Sequence, residues 1–463
     1  MKKLIIALAV GAFVLSMAGV SSATDINIFG ASAQFNFWSA QAPTYLTSAS
    51  GADCTGAVAQ TNFVPTDNAG TTPMVYYHGA KYYIASAGGC SKTVVPDGVL
   101  TIRVGAYDSC DGLQGLLGVT NVTDVAGCTG SDRAMLATTS STSIAKGDCF
   151  PVVLGAADVD GTSIVELNFN TQLDGPKGPT SPTIGYTLPG KGNAGAVELN
   201  YDLGTWSAPG ENYAAGWTPI DTTSAASKVH DWHPFVLPFG FFANVDLKVV
   251  GDGLLKADLT NLTTGQVQEI FSGTATNWSQ FGLPAGAITI CLRQPGSGTY
   301  ALFDNGVMST EGFGPGLPSF DATGGTANTW FNNTSGDMMN CINSTPGAIG
   351  FADADQGNSA STFGPINFNG TSPVATAGTS NPNLANGFYD RFFSLEHVFQ
   401  LDTDYNSGSN TDKVIQNMVG WSYIQANNPR PKVWVISNTM TWHKPADNVY
   451  PYLNGGYAEG TNY

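Results

Sequence analysis

Apolar residues along the chain are grouped in short blocks separated by polar and glycine-rich stretches, and this pattern predicts alternating strands and helices. Blocks rich in β-branched and aromatic residues have the length of buried strands. The predicted strands are 26–32, 99–108, 233–250, 287–293, 345–352 and 433–437. Helical spacing or helix-end signals predict helices at 262–273, 300–308 and 413–425.

The helix at 262–273 has both of its ends marked. Thr263 and Gln266 stand three residues apart at its start, which is the spacing of a capping box. Gly273 follows the last apolar residue and fits the position just after a helix C-terminus. These signals predict a helix that is defined locally.

The stretch from about 111 to 231 differs from the rest because it is rich in Gly, Thr, Ser, Pro and Asn and has few helix signals. We expect an inserted β/loop region there, with hairpins such as 163–170. Strands and helices alternate in a block on either side of it. The pattern therefore predicts an α/β architecture with a β/loop-rich insertion.

The first residues have the features of a secretory signal peptide. Lys2 and Lys3 precede an apolar run at 4–20, and small residues at 21–23 suit cleavage after Ala23. A membrane anchor is the alternative, but the apolar run is short and no stop-transfer pattern follows. No Cys follows the run for lipid attachment, and no later stretch approaches the length of a membrane span. We expect a periplasmic or secreted protein.

Charge and composition argue against two classes of protein, nucleic-acid binders and disordered acidic tails. The formal net charge is −17, and only 11% of the 463 residues are charged. The net field repels phosphate backbones, so nucleic acid is not an expected partner. The apolar share of 42% excludes a disordered acidic tail.

Seven cysteines lie beyond the predicted cleavage site, and outside the cytoplasm they are disulfide candidates. We predict the pairs Cys128–Cys149 and Cys291–Cys341, although spacing alone does not fix connectivity. The odd count leaves at least one thiol that is free or pairs with another chain. No C-x-x-C motif occurs, so a zinc ribbon and a thioredoxin-type site are unsupported.

The run from Arg293 to Thr299 has the features of an anion site. A predicted strand ends at Arg293, whose planar guanidinium suits two oxygens of an oxyanion. Ser297, Gly298 and Thr299 then begin a predicted helix, where backbone N–H groups lack internal partners. An ordinary N-capped helix behind a turn is the alternative interpretation of the same residues.

Six short segments stand out along the chain in a fixed order. They are Gly30-Ala31-Ser32-Ala33-Gln34-Phe35, Ser86-Ala87-Gly88-Gly89, Val104-Gly105-Ala106-Tyr107-Asp108, 268–278, Arg293 to Thr299 and Pro346-Gly347-Ala348-Ile349-Gly350-Phe351. In this order they resemble the phosphate-binding proteins of bacterial phosphate ABC importers, within the type II periplasmic binding proteins. The resemblance covers the N-terminal quarter and roughly residues 233–352.

This resemblance implies a two-lobe fold that closes on phosphate or a similar tetrahedral oxyanion and delivers it to an ABC transporter permease. Asp108 would accept the proton that hydrogen phosphate carries and sulfate lacks. The implied ligand-binding residues are Gln34, Phe35, Ser86, Asp108, Arg293, Ser297, Gly298 and Thr299. The expected organisation is a signal peptide at 1–23, lobe 1 at 24–243 and 391–463, and lobe 2 at 244–390.

Other interpretations have weaker support. His230 and His233 have the spacing of metal ligands on one element, but no third ligand stands at a useful spacing, which favours a packing or surface role. Asp402, Asp404 and Asn406 begin like a calcium loop that then lacks the required Gly and Glu. The segment 158–161 is a similarly weak calcium candidate. We therefore predict no metal.

No G-x-S-x-G, H-E-x-x-H or Walker A motif occurs, so we predict neither catalytic residues nor a cofactor. A phosphate-ester hydrolase stays open as a minor alternative. The main alternative function is a secreted surface or matrix protein that reuses the binding-protein scaffold and makes contacts through its insertion.

Overall fold

The computed structural model of the chain describes residues 24–65, 80–91, 95, 98–118, 128–159, 228–244, 259–293, 297–308, 329–332, 334–356, 364–444 and 452–453. The predicted signal peptide, the predicted hairpin at 163–170 and most of the predicted insertion lie outside these ranges. Within them, no helix has both the length and the apolar character needed to cross a bilayer.

Strands in the described ranges form two large sheets and three small pairs. The strands are β1 (Thr24–Ala31), β2 (Ala59–Phe63), β3 (Lys81–Gly88), β4 (Val99–Tyr107), β5 (Asp132–Ala134), β6 (Cys149–Pro151), β7 (Leu154–Ala157), β8 (Val229–Trp232), β9 (Phe235–Ala243), β10 (Asn261–Leu262), β11 (Thr289–Arg293), β12 (Thr329–Asn332), β13 (Ala348–Asp353), β14 (Asn367–Phe368), β15 (Phe393–Leu395), β16 (His397–Leu401), β17 (Val435–Ile436), β18 (Trp442–His443) and β19 (Tyr452–Leu453).

Helices accompany both large sheets, as expected for an α/β protein. They are α1 (Phe35–Thr47), α2 (Ser109–Leu116), α3 (Thr264–Phe271), α4 (Gly298–Phe303), α5 (Ser335–Ser344), α6 (Pro382–Ala385), α7 (Asp402–Tyr405) and α8 (Asn410–Ser422). The expected capping box of Thr263 and Gln266 is present at the start of α3. Asp402 and Asp404 lie in α7, which is helical and not a calcium-type loop.

The first sheet has the strand order β2-β3-β4-β1-β7-β16-β8, and the second has the order β12-β11-β13-β9-β15, with β17 also paired to β9. Strand β1 runs parallel to β4 and β7, and β11 runs parallel to β12 and β13. Parallel neighbours end at the same edge of their sheet, and ligands of open α/β sheets bind at such edges. The two-lobe α/β fold expected from the sequence is therefore confirmed.

The described chain crosses between the sheets at two short links and along one longer segment. The first short link is His233–Pro234, between β8 and β9, and the second is Glu396, between β15 and β16. The longer segment leads from β16 of the first sheet to β17, which pairs with β9 of the second. The expected lobe border at 243/244 falls at the end of β9, which already belongs to the second sheet. The expected return at 390/391 falls a few residues before β15. The structural links thus lie about ten residues before and five residues after the expected borders.

The predicted insertion contributes to the first sheet. Within 111–231, α2 covers one face of the sheet and β7 pairs with both β1 and β16. Strand β7 is short, and its sequence LGAA carries little strand signal, so pairing with β1 decides its conformation. The described part of this range is a central piece of lobe 1 and not an appendage to it.

A buried aromatic cluster joins α1 to the start of β9. The Phe37 ring stacks on the Phe235 ring at a centroid distance of 3.6 Å, and Trp434 packs edge-on against Phe37 at 5.3 Å. Burial of such rings stabilises a fold through their large apolar area. The cluster therefore holds the element that follows β1 against the first strand of the second sheet.

The predicted disulfides Cys128–Cys149 and Cys291–Cys341 are both confirmed, and a third joins Cys54 to Cys90. Cys110 is left as a buried thiol whose pKa is raised, mainly by burial. Its depth among apolar neighbours makes it a packing residue.

Candidate functional site

The carboxyl ends of parallel strands from both sheets meet in one buried region. Ser32 follows β1, Asp108 follows β4 and Asp158 follows β7 in the first sheet. Arg293 ends β11 and Asp353 ends β13 in the second sheet. All five side chains are buried. We name this region the interlobe site.

Arg293 lies at the centre of the interlobe site and is 1% exposed. Its Nη1 donates to Ser335 Oγ at 3.3 Å. Burial lowers the pKa of Arg293, while the surrounding carboxylates oppose that change. Those carboxylates, in order of effect, belong to Asp158, Asp108, Asp353 and Asp337. The guanidinium is thus a buried cation held among acidic groups from both lobes.

The helix that follows Arg293 is joined to the opposite lobe. The Thr299 hydroxyl donates to Asp158 Oδ2 at 2.7 Å, and Ser297 caps α4 by accepting from Tyr300 N–H at 3.2 Å. A Cβ placed on Gly298 would lie 2.4 Å from Ser109 Oγ, so only glycine allows this approach. The sequence run from Ser297 to Thr299 therefore forms the expected helix start and faces lobe 1.

Asp108 lies at the first-lobe edge of the interlobe site, and its contact with a ligand stays a prediction. It is the N-cap of α2, where its Oδ1 accepts from Asp111 N–H at 2.7 Å, and it is near enough to Arg293 to raise the pKa of that side chain. The neighbouring Ser109 Oγ accepts from Asp158 N–H at 3.1 Å. Asp108 and Arg293 are 185 positions apart in the sequence, and the tertiary structure brings them into one region.

Two serines form a second connection between the lobes. Ser32 Oγ lies 3.2 Å from Ser335 Oγ and accepts from Ser335 N–H at 3.3 Å. Since Ser335 also accepts from Arg293, the guanidinium, the start of α5 and the end of β1 are linked in one buried chain of hydrogen bonds. Hydroxyls of this kind can donate to an oxyanion by rotating.

Gln34 and Phe35 were expected to hydrogen-bond to a ligand, but in this structure the same groups bind other protein atoms. The Gln34 amide donates to the carbonyls of Ala157 and His397, both at 2.9 Å, and its oxygen accepts from Trp38. The Phe35 N–H donates to Ser32 O. Both residues border the interlobe site, and their ligand contacts stay a prediction.

Ser86 lies away from the other predicted site residues. It pairs with Thr101 near the start of β4, and its Oγ is 3.0 Å from Thr101 Oγ1. Because β3 is antiparallel to β4, it carries Ser86 toward the edge opposite Asp108. The seven steps from 101 to 108 span about 23 Å of extended strand. Ser86 therefore lies far from Asp108 in this structure, and its contact with a ligand stays a prediction.

Sequence reasoning left Asp158, Ser109, Ser32 and Ser335 out of the predicted set. Ser32 lies within a quoted motif and directly follows β1, and Ser109 stands next to the motif residue Asp108, so their positions could have indicated them. Asp158 had been considered only as part of a weak calcium motif. Ser335 has no comparable signal, because its hydroxyl meets Arg293 only through the pairing of β11 with β12.

Burial raises the pKa of carboxyl groups in and near the interlobe site. Burial raises the pKa of Asp158 to about 6, although Thr299 and Arg293 both favour its ionised form. Burial and the neighbouring Asp353 raise the pKa of Asp355, which accepts from Asn36 at 3.0 Å and from Arg430 at 2.8 Å. Burial also raises the pKa of Glu396, which is hydrogen-bonded to Asp158, so these two carboxyl groups can share a proton below about pH 6.

Asp158 is expected to make the ligand-free protein less stable as the pH rises. Its pKa is about 6 when folded and 3.8 in the reference state, so the folded form binds the proton more tightly between these values. The free energy of unfolding then falls as pH rises from about 4 to 6 and stays lower above, by up to about 3 kcal/mol. Urea unfolding should show Asp158→Asn to be more stable than the parent at pH 8 and similar to it near pH 4.

The exposed Asp53 gives a matched control for this measurement. Its backbone is left-handed, with φ of 49°, a conformation that Asn also adopts. Asp53→Asn should leave the pH profile unchanged. A stability difference between Asp158→Asn and the parent that is equal at both pH values would contradict the role of Asp158.

Residues 236–386 match the family model of the PBP superfamily domain. The matched segment contains all of β9 except its first residue, the Arg293 strand and the starts of α4 and α5. It therefore includes the second-lobe residues of the interlobe site. The predicted resemblance to the type II periplasmic binding proteins is thereby confirmed.

Several solved structures are similar to this chain at low sequence identity. A high-affinity periplasmic phosphate-binding protein, PfluDING, is 13% identical, with 89% of this chain and 90% of that chain covered at a TM-score of 0.44. A phosphate-binding protein from Stenotrophomonas maltophilia is 14% identical, with 87% and 84% covered at 0.39. An ABC-type phosphate transport receptor from Vibrio cholerae is 21% identical, with 42% and 69% covered at 0.27.

Proposed function

We propose that this protein is an extracytoplasmic solute-binding protein that captures inorganic phosphate, or a similar tetrahedral oxyanion, between its lobes. The supporting observation is the buried guanidinium of Arg293, which lies where the carboxyl edges of both sheets meet. A guanidinium presents paired N–H groups that match two oxygens of an oxyanion. The Ser335 hydroxyl contacts the guanidinium, Ser32 lies within hydrogen-bond distance of Ser335, and Thr299 donates to the nearby Asp158, so these hydroxyls are available to an anion in the same region.

The carboxylates of the interlobe site favour a ligand that carries a proton. Asp108 and Asp158 both act on Arg293, so an anion bound there also faces negative charge. The O–H group of hydrogen phosphate can donate a hydrogen bond to a carboxylate oxygen, whereas sulfate at neutral pH has no O–H group. An unpaired acceptor opposed by a charge costs several kcal/mol, which corresponds to a preference on the order of 10³.

Two lobes joined by short links suit the capture of an anion by lobe closure. Each lobe supplies part of the site, so a bound anion would stabilise the closed arrangement. Closure would present a joint surface to the permease of an ABC transporter, the partner that we propose. The disulfides and the predicted signal peptide agree with a periplasmic or secreted location. We propose binding without catalysis.

Calorimetric titration of phosphate-stripped protein at pH 8 tests this proposal. We expect one phosphate per chain, arsenate binding in the same range, and sulfate at least about 100-fold weaker because it lacks the proton. Asp108→Asn should reduce that preference, since an amide can donate to sulfate. A phosphate heat equal to that of buffer would contradict the proposal and would favour the surface or matrix alternative.

A further inference from the structure

Three side chains outside the interlobe site meet where the chain passes between the sheets. Asp231 lies on β8, His233 lies in the first link, and His397 opens β16 directly after the second link. We name Asp231, His233 and His397 the hinge triad. Each of the two short links between the sheets therefore has a triad histidine in it or next to it.

One oxygen and two ring nitrogens of the hinge triad form a small triangle. Asp231 Oδ2 lies 2.8 Å from His397 Nδ1 and 3.1 Å from His233 Nε2. The two imidazole nitrogens are 3.1 Å apart. The side chains are 30%, 17% and 7% exposed for Asp231, His233 and His397 respectively, so the triangle is shielded yet reachable from solvent.

This geometry matches the ligand set of a transition metal. A neutral imidazole carries a lone pair on one ring nitrogen, and two such nitrogens with a carboxylate oxygen are common ligands of Zn²⁺. An ion at about 2.0–2.1 Å from each atom would lie just out of the plane of the triangle. A fourth position would then be left for water.

The surroundings of Asp231 agree with a bound cation. Its Oδ2 lies within hydrogen-bond distance of both triad histidines. Its second oxygen, Oδ1, is buried and makes no hydrogen bond to the part of the chain that the structure describes. A buried carboxylate oxygen with no donor is costly unless a cation lies nearby.

We propose that the hinge triad binds one divalent transition-metal ion, Zn²⁺ in the first instance, and thereby ties the two interlobe links together. Sequence spacing pointed instead to His230 and His233. The His230 ring stacks on Tyr405 at 3.8 Å, away from the triad. His397 is 164 positions from His233, and the antiparallel register of β16 with β8 brings them together.

Zinc titration of the purified, chelator-stripped chain in phosphate-free buffer at pH 7.5 tests the site. We expect one Zn²⁺ per chain by calorimetry, and one Co²⁺ with the visible absorption of a four-coordinate ion. His397→Gln and His233→Gln should each weaken zinc binding by at least about 100-fold. His230→Gln is the matched control, because it removes a neighbouring histidine and should leave zinc binding unchanged.

Thermal unfolding of the same proteins separates lost binding from lost folding. Zn²⁺ should raise the Tm of the parent and of His230→Gln, and should leave that of the two triad variants unchanged while their metal-free Tm stays near the parental value. If one triad variant fails to fold, the other carries the test. Absence of zinc binding by the parent at about 10 μM metal, or zinc binding that survives both triad substitutions, would overturn the proposal. In that case Asp231 only accepts hydrogen bonds from the two imidazoles.

Discussion

Replacing Arg293 with Gln is expected to reduce phosphate affinity by at least about 10³-fold, equivalent to about 4 kcal/mol. The guanidinium is the central cation of the interlobe site, and it lies among the carboxylates of Asp108, Asp158, Asp337 and Asp353. Once the positive charge is removed, a bound anion would face those carboxylates alone. Calorimetry or equilibrium dialysis with labelled phosphate measures the change.

Two further variants distinguish geometry from charge. Arg293→Lys keeps the charge but loses the planar fork, so we expect an intermediate loss of affinity. Lys228→Gln removes the same charge from the surface, where Lys228 is 62% exposed and pairs with Asp402 at 3.2 Å, and it should leave affinity within about twofold. Phosphate binding that Arg293→Gln leaves intact would show that the anion is not bound at Arg293.

Replacing Gly30 with Ala is expected to destabilise the protein by at least about 3 kcal/mol or to prevent folding. Gly30 has φ of 142°, and a Cβ there would lie 2.0 Å from the carbonyl oxygen of Ala156. Gly30 and Ala156 are paired residues of β1 and β7, so the clash would be with the backbone of a neighbouring strand. Gly112 of α2 also packs against Gly30, so the strand has little room to move.

Urea unfolding of Gly30→Ala measures this effect, with Gly265→Ala as the control. Gly265 lies in α3 and has open space around its Cβ position. Alanine there should change stability by less than about 1 kcal/mol, in the favourable direction. Equal stability of the two variants would mean that β1 and β7 are not paired as closely as the structure shows.

Local sequence signals were sufficient for several elements. The capping box of Thr263 and Gln266 predicted the start of α3, because both partners lie within one helical turn. The strand that ends at Arg293 and the helix start at Ser297–Thr299 were also predicted from adjacent residues. Gly298 is required by its close approach to Ser109 of the other lobe, a contact that the local pattern did not predict.

Elements with weak local signals were predicted poorly. The sequence of β7 has no clear strand pattern, and its place beside β1 was taken for part of an insertion. Asp158, which follows β7, was missed for the same reason. Ser86 was placed in the site because its motif resembles a binding turn, whereas the antiparallel pairing of β3 with β4 puts it near the opposite edge.

The sequence by itself predicted the α/β class and the strand that ends at Arg293 with the helix start that follows it. These depend on short-range patterns. It also suggested two of the three disulfides, although spacing did not fix those pairs. Only the tertiary structure decided which strand ends share an edge, and hence that Asp108, Asp158, Ser32 and Ser335 surround Arg293. It also decided that His397 meets Asp231 and His233. The physical reason is that strand order and register come from packing among distant segments, which no local pattern specifies.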